Sequence, residues 1–132
     1  MATFHLQIVI PDRQVFDGEA EKIIVRTVGG DVCILARHID YAAPLATGEA
    51  RVTDAEGNTR VAACSGGIIS VAGGEVRVMA TTFEWADEID LERAEKTRAA
   101  VEQKLASQKS EADQAMLEAK LKRALVRIQV KG

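Results

Sequence analysis

The sequence predicts a β + α fold: an N-terminal antiparallel β-sandwich, closed as a flattened barrel, followed by a C-terminal two-helix antiparallel hairpin. Three observations predict it. Up to about residue 84, apolar residues alternate or run in short bursts between Gly-rich breaks, the pattern of strands in a small all-β unit. From Asp90 onward about forty residues pass with no Pro and no Gly until Gly132, rich in Ala, Glu, Lys and Leu. The change is abrupt at Ile89-Asp90-Leu91-Glu92-Arg93-Ala94, and it divides the chain into a β unit, residues 1–84, and a helical unit, residues 88–132.

Thr3 to Ile10 alternates in part and stops at Pro11-Asp12-Arg13, where Pro fixes φ for a turn. A short run at Gln14–Asp17 breaks at Gly18, and Glu19 to Val28 reads as the next strand. Gly29-Gly30-Asp31 is a hairpin signal, after which Val32 to Leu35 returns as a wholly apolar strand. Residues 36–47, with His38, Tyr41 and Pro44, read as a longer connection. Gly48–Thr53 and Thr59–Cys64 flank the polar turn at 54–58, and Gly66–Val71 and Glu75–Ala80 flank Ala72-Gly73-Gly74. The reading is eight to ten short strands with tight turns.

In the helical unit, Asp87 and Asp90 are both candidate N-caps. Leu91, Ala94, Val101 and Leu105 form one narrow apolar stripe, and Leu117, Leu121, Ala124 and Ile128 form another. Ser107 to Ser110 is the expected break, and Ser110 with Asp113 resembles a capping box with a shortened acid. Both stripes are thin and rich in alanine, which buries little area, so the hairpin is expected to be marginally stable when closed.

Composition narrows function. The core is aliphatic, with one Trp, one Tyr and three Phe. A net charge of −3 argues against a generic cationic nucleic-acid binder. The charge is unevenly spread: in the last stretch Lys120, Lys122, Arg123, Arg127 and Lys131 meet only Glu118, which suits phosphate or an acidic protein surface. Cys33 and Cys64 lie in apolar runs with no metal-ligand spacing and read as buried free thiols. No apolar stretch approaches the ~20 residues of a membrane helix, and the N-terminus shows no signal-peptide core. The Gly pairs at 29–30, 66–67 and 73–74 are not followed by Lys-Ser or Lys-Thr at P-loop spacing and read as turns. No nucleophile–base pair, paired carboxylates or metal cluster is evident, so a non-catalytic role is expected.

One constellation remains. Asp90 and Arg93 open the first helix, and Arg123 and Arg127 share a face of the second, an arrangement able to close around a nucleoside triphosphate. Guanidinium forks pair bidentately with phosphate oxygens. Asp90 would repel a phosphate, leaving it to hold an arginine, cap the helix, or meet base or ribose.

Four segments in order, Ile10-Pro11-Asp12-Arg13-Gln14-Val15-Phe16-Asp17-Gly18-Glu19, Val25-Arg26-Thr27-Val28-Gly29-Gly30-Asp31-Val32-Cys33-Ile34-Leu35, Cys64-Ser65-Gly66-Gly67 and Ile89-Asp90-Leu91-Glu92-Arg93-Ala94-Glu95, make the chain resemble the epsilon subunits of bacterial F-type ATP synthases over its whole length. The resemblance implies a non-catalytic rotor subunit whose sandwich binds the gamma subunit and the membrane c-subunit ring. It implies a peripheral location on the cytoplasmic side of the bacterial cell membrane. The hairpin would restrain ATP hydrolysis when it extends to the catalytic beta and alpha subunits. When closed it would bind ATP as a regulatory ligand, with or without magnesium. An Ile/Leu-Asp-x-x-Arg-Ala motif carries that binding in some members, and Ile89, Asp90, Arg93 and Ala94 match it, with Arg123 and Arg127 as its arginine pair and Glu84 at the position expected to meet the adenine. Asp31 and His38 match positions that face the ring. The chain departs from the family before His38, where Ala36-Arg37 replaces the common Pro-Gly, and after it, at Ile39-Asp40-Tyr41.

Overall fold

The computed structural model describes residues 2–107 and 111–132. Seven strands precede two helices: β1 Phe4–Ile10, β2 Arg13–Thr27, β3 Gly30–Leu35, β4 Tyr41–Pro44, β5 Gly48–Asp54, β6 Thr59–Ala72 and β7 Glu75–Trp85, then a 3-10 turn at Ala86–Glu88, α1 Leu91–Ser107 and α2 Glu111–Lys131. The sheet runs β1-β7-β6-β5-β2-β3, with β4 beside β6, and an additional β1–β2 pairing closes it into a barrel. All pairings are antiparallel except β1 with β7, which run parallel from His5↔Glu75 to Val9↔Met79. Alternation decides which side chains enter the barrel. Phe4, Leu6 and Ile8 of β1, Ile23 and Val25 of β2, and Val76 and Val78 of β7 are buried together in the core.

The strand count differs from the expected eight to ten because two glycine-containing breaks do not interrupt pairing. Gly18 stays within β2, opposite Leu6. Gly66 and Gly67 stay within β6, at φ +70° and +95°. There the backbone of β6 comes so close to β7 that a Cβ on Gly67 would stand 1.9 Å from the Met79 carbonyl oxygen. On one side of this kink β6 pairs with β5, from Thr59 to Cys64, and on the other with β4, from Ile68 to Val71. The glycines thus let one long strand serve both parts of the barrel. The segment read as connection, residues 36–47, contains β4 for the same reason: β6 continues far enough to pair with it.

Val32 to Leu35 is not apolar on both faces in effect. β3 is an edge strand, so Ile34 points into the core while Cys33 and Leu35 face outward and are exposed. Only Cys64 matches the reading of a buried thiol, and burial pushes its pKa up to about 12. Arg37 takes φ +66°, the left-handed region that glycine adopts more readily than an L side chain.

The helices keep their expected stripes with one exception. Ala94 and Val101 of α1 and Leu117 and Ala124 of α2 are buried, Leu105, Leu121 and Ile128 half-buried, and Leu91 exposed. Ile89, the residue before the capping Asp90, is buried instead. α2 lies against the outer face of β6, where Ala63 is buried although it points away from the barrel core that holds Ala62 and Cys64. The expected break and the Ser110 capping box fall at residues 108–110, outside the described residues.

Candidate functional site

The β-to-helix junction is held from several sides. The Trp85 indole is buried, stacked edge-on by Phe83 at 5.1 Å and covered by the Arg60 guanidinium 3.9 Å above its ring. Arg60 also reaches Asp87 at 3.7 Å, and Glu88 accepts from the Trp85 backbone N–H at 3.4 Å and lies 3.9 Å from Arg13. Asp90 then starts α1: its Oδ1 accepts from the Arg93 backbone N–H at 3.1 Å, and its carbonyl from Ala94 N–H at 3.0 Å. Of the two candidate caps, Asp90 is the one used, and its carboxylate occupies the helix N-terminus that an anion would otherwise favour.

Beside this junction, between α1 and α2, lies a cleft of about 420 Å³ lined by Glu84, Glu88, Asp90, Arg93, Ala94, Thr97, Lys120, Arg123 and Arg127. It brings together six of the seven residues singled out in the sequence. Ile89 is set apart from it, buried as an apolar anchor at the foot of α1. Glu84 projects from β7 opposite Ala63 of β6, on the face that α2 covers, and accepts from Arg127 Nε at 2.5 Å. That ion pair joins strand to helix at side chains only about a third exposed, so it is screened less than the surface pairs elsewhere.

Helical spacing explains the convergence. Asp90, Arg93, Ala94 and Thr97 recur at three and four along α1, and Lys120, Arg123 and Arg127 recur likewise along α2, so each set faces the other. Among the described residues Arg93, Lys120 and Arg123 have no ion-pair partner. Arg98, one turn beyond Ala94, instead pairs with Glu102 at 3.4 Å on the solvent side. Three cations without an ion-pair partner around one cleft are chemically able to hold an anion. The lining acids are each engaged, Glu84 by Arg127, Glu88 by the junction and Asp90 by its cap, and no group of three metal-ligating side chains occurs among the described residues.

Two lining residues, Glu88 and Thr97, lay outside those marked in the sequence, and Lys120 was marked only within the basic stretch that suits phosphate. Lys120 and Thr97 each sit one helical turn from a marked arginine, which is the signal that finds them. Glu88 carries no such signal, since its place depends on the 3-10 turn.

The two residues matched to ring-facing positions lie elsewhere. Asp31, second in β3, is gripped by Arg26 at 2.7 and 3.3 Å, which holds its carboxyl below the ordinary aspartate range. His38 follows the other end of β3, its Nδ1 donating to the Ile39 carbonyl at 2.8 Å and its ring edge-on to Tyr41 at 5.9 Å. Four strand residues, Val32 to Leu35, part them, so they sit toward opposite ends of β3, which advances ~3.3 Å per residue, and form two separate features.

Comparison with known proteins agrees with this architecture in register. Residues 3–86 match the family model of the ATP synthase delta/epsilon chain β-sandwich domain, and residues 87–132 that of its long α-helix domain. The ATP synthase epsilon chain of Ruminococcus albus is 38% identical over 131 residues, covering 98% of this chain and 97% of that one. That of Shouchella clausii is 39% identical over 130 residues, covering 98% and 96%. In solved structures, a chain of the Euglena gracilis mitochondrial ATP synthase superposes with a TM-score of 0.81 at 26% identity, covering 92% of this chain and 77% of that one. A chain from the central stalk and c-ring of the Tetrahymena thermophila mitochondrial enzyme shares the fold at a TM-score of 0.70 and 12% identity, covering 97% and 96%. With both of its parts matched in order and relatives aligned end to end, the chain belongs to the ATP synthase delta/epsilon chain family.

Proposed function

We propose that this chain is the non-catalytic epsilon-type rotor subunit of an F-type ATP synthase, and that its closed helical hairpin binds ATP as a regulatory ligand. The observation that carries the ligand reading is the cleft in which Glu84, Asp90, Arg93, Ala94, Arg123 and Arg127 meet. Its volume falls within the range of small-molecule sites. Arg93 and Arg123 are free to fork onto phosphate oxygens. Glu84 at the sheet end accepts N–H donors of a base and repels phosphates. Any magnesium would arrive on the phosphates, since the lining carboxylates are already engaged.

A closed hairpin gathers these groups from β7, α1 and α2, so an extended one disperses them. ATP therefore favours the closed form by linkage, contributing about 2.7 kcal/mol at a hundred times its dissociation constant. Extended, the basic end of α2 would meet the acidic surface of the catalytic subunits and restrain hydrolysis. The barrel offers the other contacts. Val9, Met79, Ile68 and Pro44 are paired in succession across β1, β7, β6 and β4, an apolar row on the outer face that suits docking on the gamma subunit. Asp31 and His38 would face the c-ring. No helix is long and apolar enough to cross a membrane among the described residues, consistent with peripheral attachment through partners.

Energy transfer between labels at residues 83 and 129 tests the ligand reading. The wild-type chain should compact on adding millimolar Mg-ATP, while Arg93→Ala and Arg127→Ala should not. Equal compaction in both variants refutes the site. Assembly with gamma and the c-ring, assayed by co-purification of the complex, tests the rotor reading independently.

A further inference from the structure

The cleft has a direction, and its two ends differ in charge. α1 leads away from the barrel and α2 returns to it, so residues later on α1 and earlier on α2 stand farther from the sheet. Glu84 and Arg127 mark the sheet end, Arg93 and Arg123 the middle, and Thr97 and Lys120 the outer end. At 1.5 Å per residue, Lys120 lies about 10 Å beyond Arg127 along α2. All three lining carboxylates, Glu84, Glu88 and Asp90, precede α1 and so gather at the sheet end. The outer end has one cation, Lys120, and a hydroxyl, with no lining acid to offset them.

We propose that Lys120, with Thr97 facing it, forms a terminal-phosphate subsite by which the cleft distinguishes a nucleoside triphosphate from a diphosphate. This rests on the nucleotide reading above and adds to it a residue and a selectivity. With base and ribose toward Glu84, the phosphate chain runs outward between the helices, past Arg93 and Arg123. The last phosphate of a triphosphate then reaches the ammonium of Lys120, whose long stem suits a single charge contact at variable reach. The Thr97 hydroxyl, half-buried on α1, donates from the opposite wall. A diphosphate ends at the arginines and leaves Lys120 solvated. The Lys122 side chain offers an internal control: it lines a different cleft, with Arg26 and Glu49, on the other side of α2.

The test is calorimetric titration of the full-length chain with Mg-ATP and with Mg-ADP. Wild type should bind ATP more tightly than ADP. Lys120→Ala should lose about tenfold in ATP affinity, the scale of one charge-assisted hydrogen bond, and leave ADP affinity within about twofold. Lys120→Arg should retain the preference, and Lys122→Ala, with the same loss of charge, should match wild type. Lys120 is exposed, so the variants should keep the wild-type circular dichroism. An unchanged ATP-to-ADP ratio in Lys120→Ala overturns the subsite while leaving the nucleotide site intact, provided Arg127→Ala still abolishes ATP binding. Failure of wild type to bind either nucleotide at millimolar concentration overturns both.

Discussion

His5 shows how much a single side chain can be set by strand pairing. It projects from the outer face of β1, and β2 and β7 flank it with carboxylates: Nε2 meets Asp17 Oδ1 at 2.5 Å and Nδ1 meets Glu75 Oε2 at 2.5 Å. Glu19, directly opposite on β2, is held by the Thr3 hydroxyl at 3.0 Å. Hydrogen bonds to Asp17 and then Glu75 raise the His5 pKa above its ordinary 6.5. Because the folded-state value is raised, the clamp's stabilisation is fully present below pH 6.5 and is lost as pH rises through the folded value. The thermal midpoint should therefore decline across that window, and His5→Gln should flatten the decline. An identical pH profile in the variant would dismiss the clamp. Nothing in the sequence marked His5, because its partners are 12 and 70 residues away and depend on register. The cleft residues were readable at this scale for the opposite reason. Their spacing along two helices is local, so Asp90, Arg93, Arg123 and Arg127 declare their faces without knowledge of the fold.

Among elements, β6 carries the largest surprise and the sharpest prediction. A sequence break at Cys64-Ser65-Gly66-Gly67 reads as a turn because glycine pairs usually make turns. Whether they do depends on the neighbouring strand, and β7 is long enough to pair on both sides of the kink, from Ala62↔Trp85 to Ala72↔Glu75. The strand alternation of β1, β2 and β7 was legible, as were the turns at Pro11 and Gly73-Gly74, since each rests on local chemistry. The strand count was not, nor the exposure of Cys33 and Leu35, since both follow from where the sheet ends. Gly67→Ala should be among the most damaging single changes in the barrel. It sets a Cβ at 1.9 Å from a carbonyl oxygen in addition to forcing φ +95° on an L residue. Gly30→Ala is the comparison: φ is +120°, but nothing lies within 4 Å. Urea unfolding should show a loss of about 1–3 kcal/mol for Gly30→Ala, and a larger loss for Gly67→Ala. Equal losses would mean that the close approach of β6 to β7 relaxes freely.

At the scale of the whole molecule, the chain joins a tightly closed barrel to a loosely held pair of helices. The barrel core holds nineteen buried side chains from every strand except β4, contiguous around Phe83, Leu6 and Ile8. The described part of the helical hairpin buries two sizeable aliphatic side chains, Val101 and Leu117, with Ala94 and Ala124. What ties it to the barrel is the seat of α2 on β6, the Ile89 anchor and the Glu84–Arg127 pair. Elements with few buried contacts open at lower free energy than the core, so the hairpin should detach while the barrel stays folded. Lys120, Lys122, Arg123 and Arg127 make α2 a ready trypsin substrate once it opens, and all of them lie within seven residues of one another. Trypsin should therefore cut α2 first and leave a resistant fragment spanning β1 to β7. Where opening is fast relative to cleavage, the rate follows the open population. A ligand that binds only the closed form, at a hundred times its dissociation constant, should then slow cleavage about a hundredfold. Cleavage that proceeds at the same rate in barrel and hairpin would show that the two parts open together, and that no ligand in the cleft could shift one without the other.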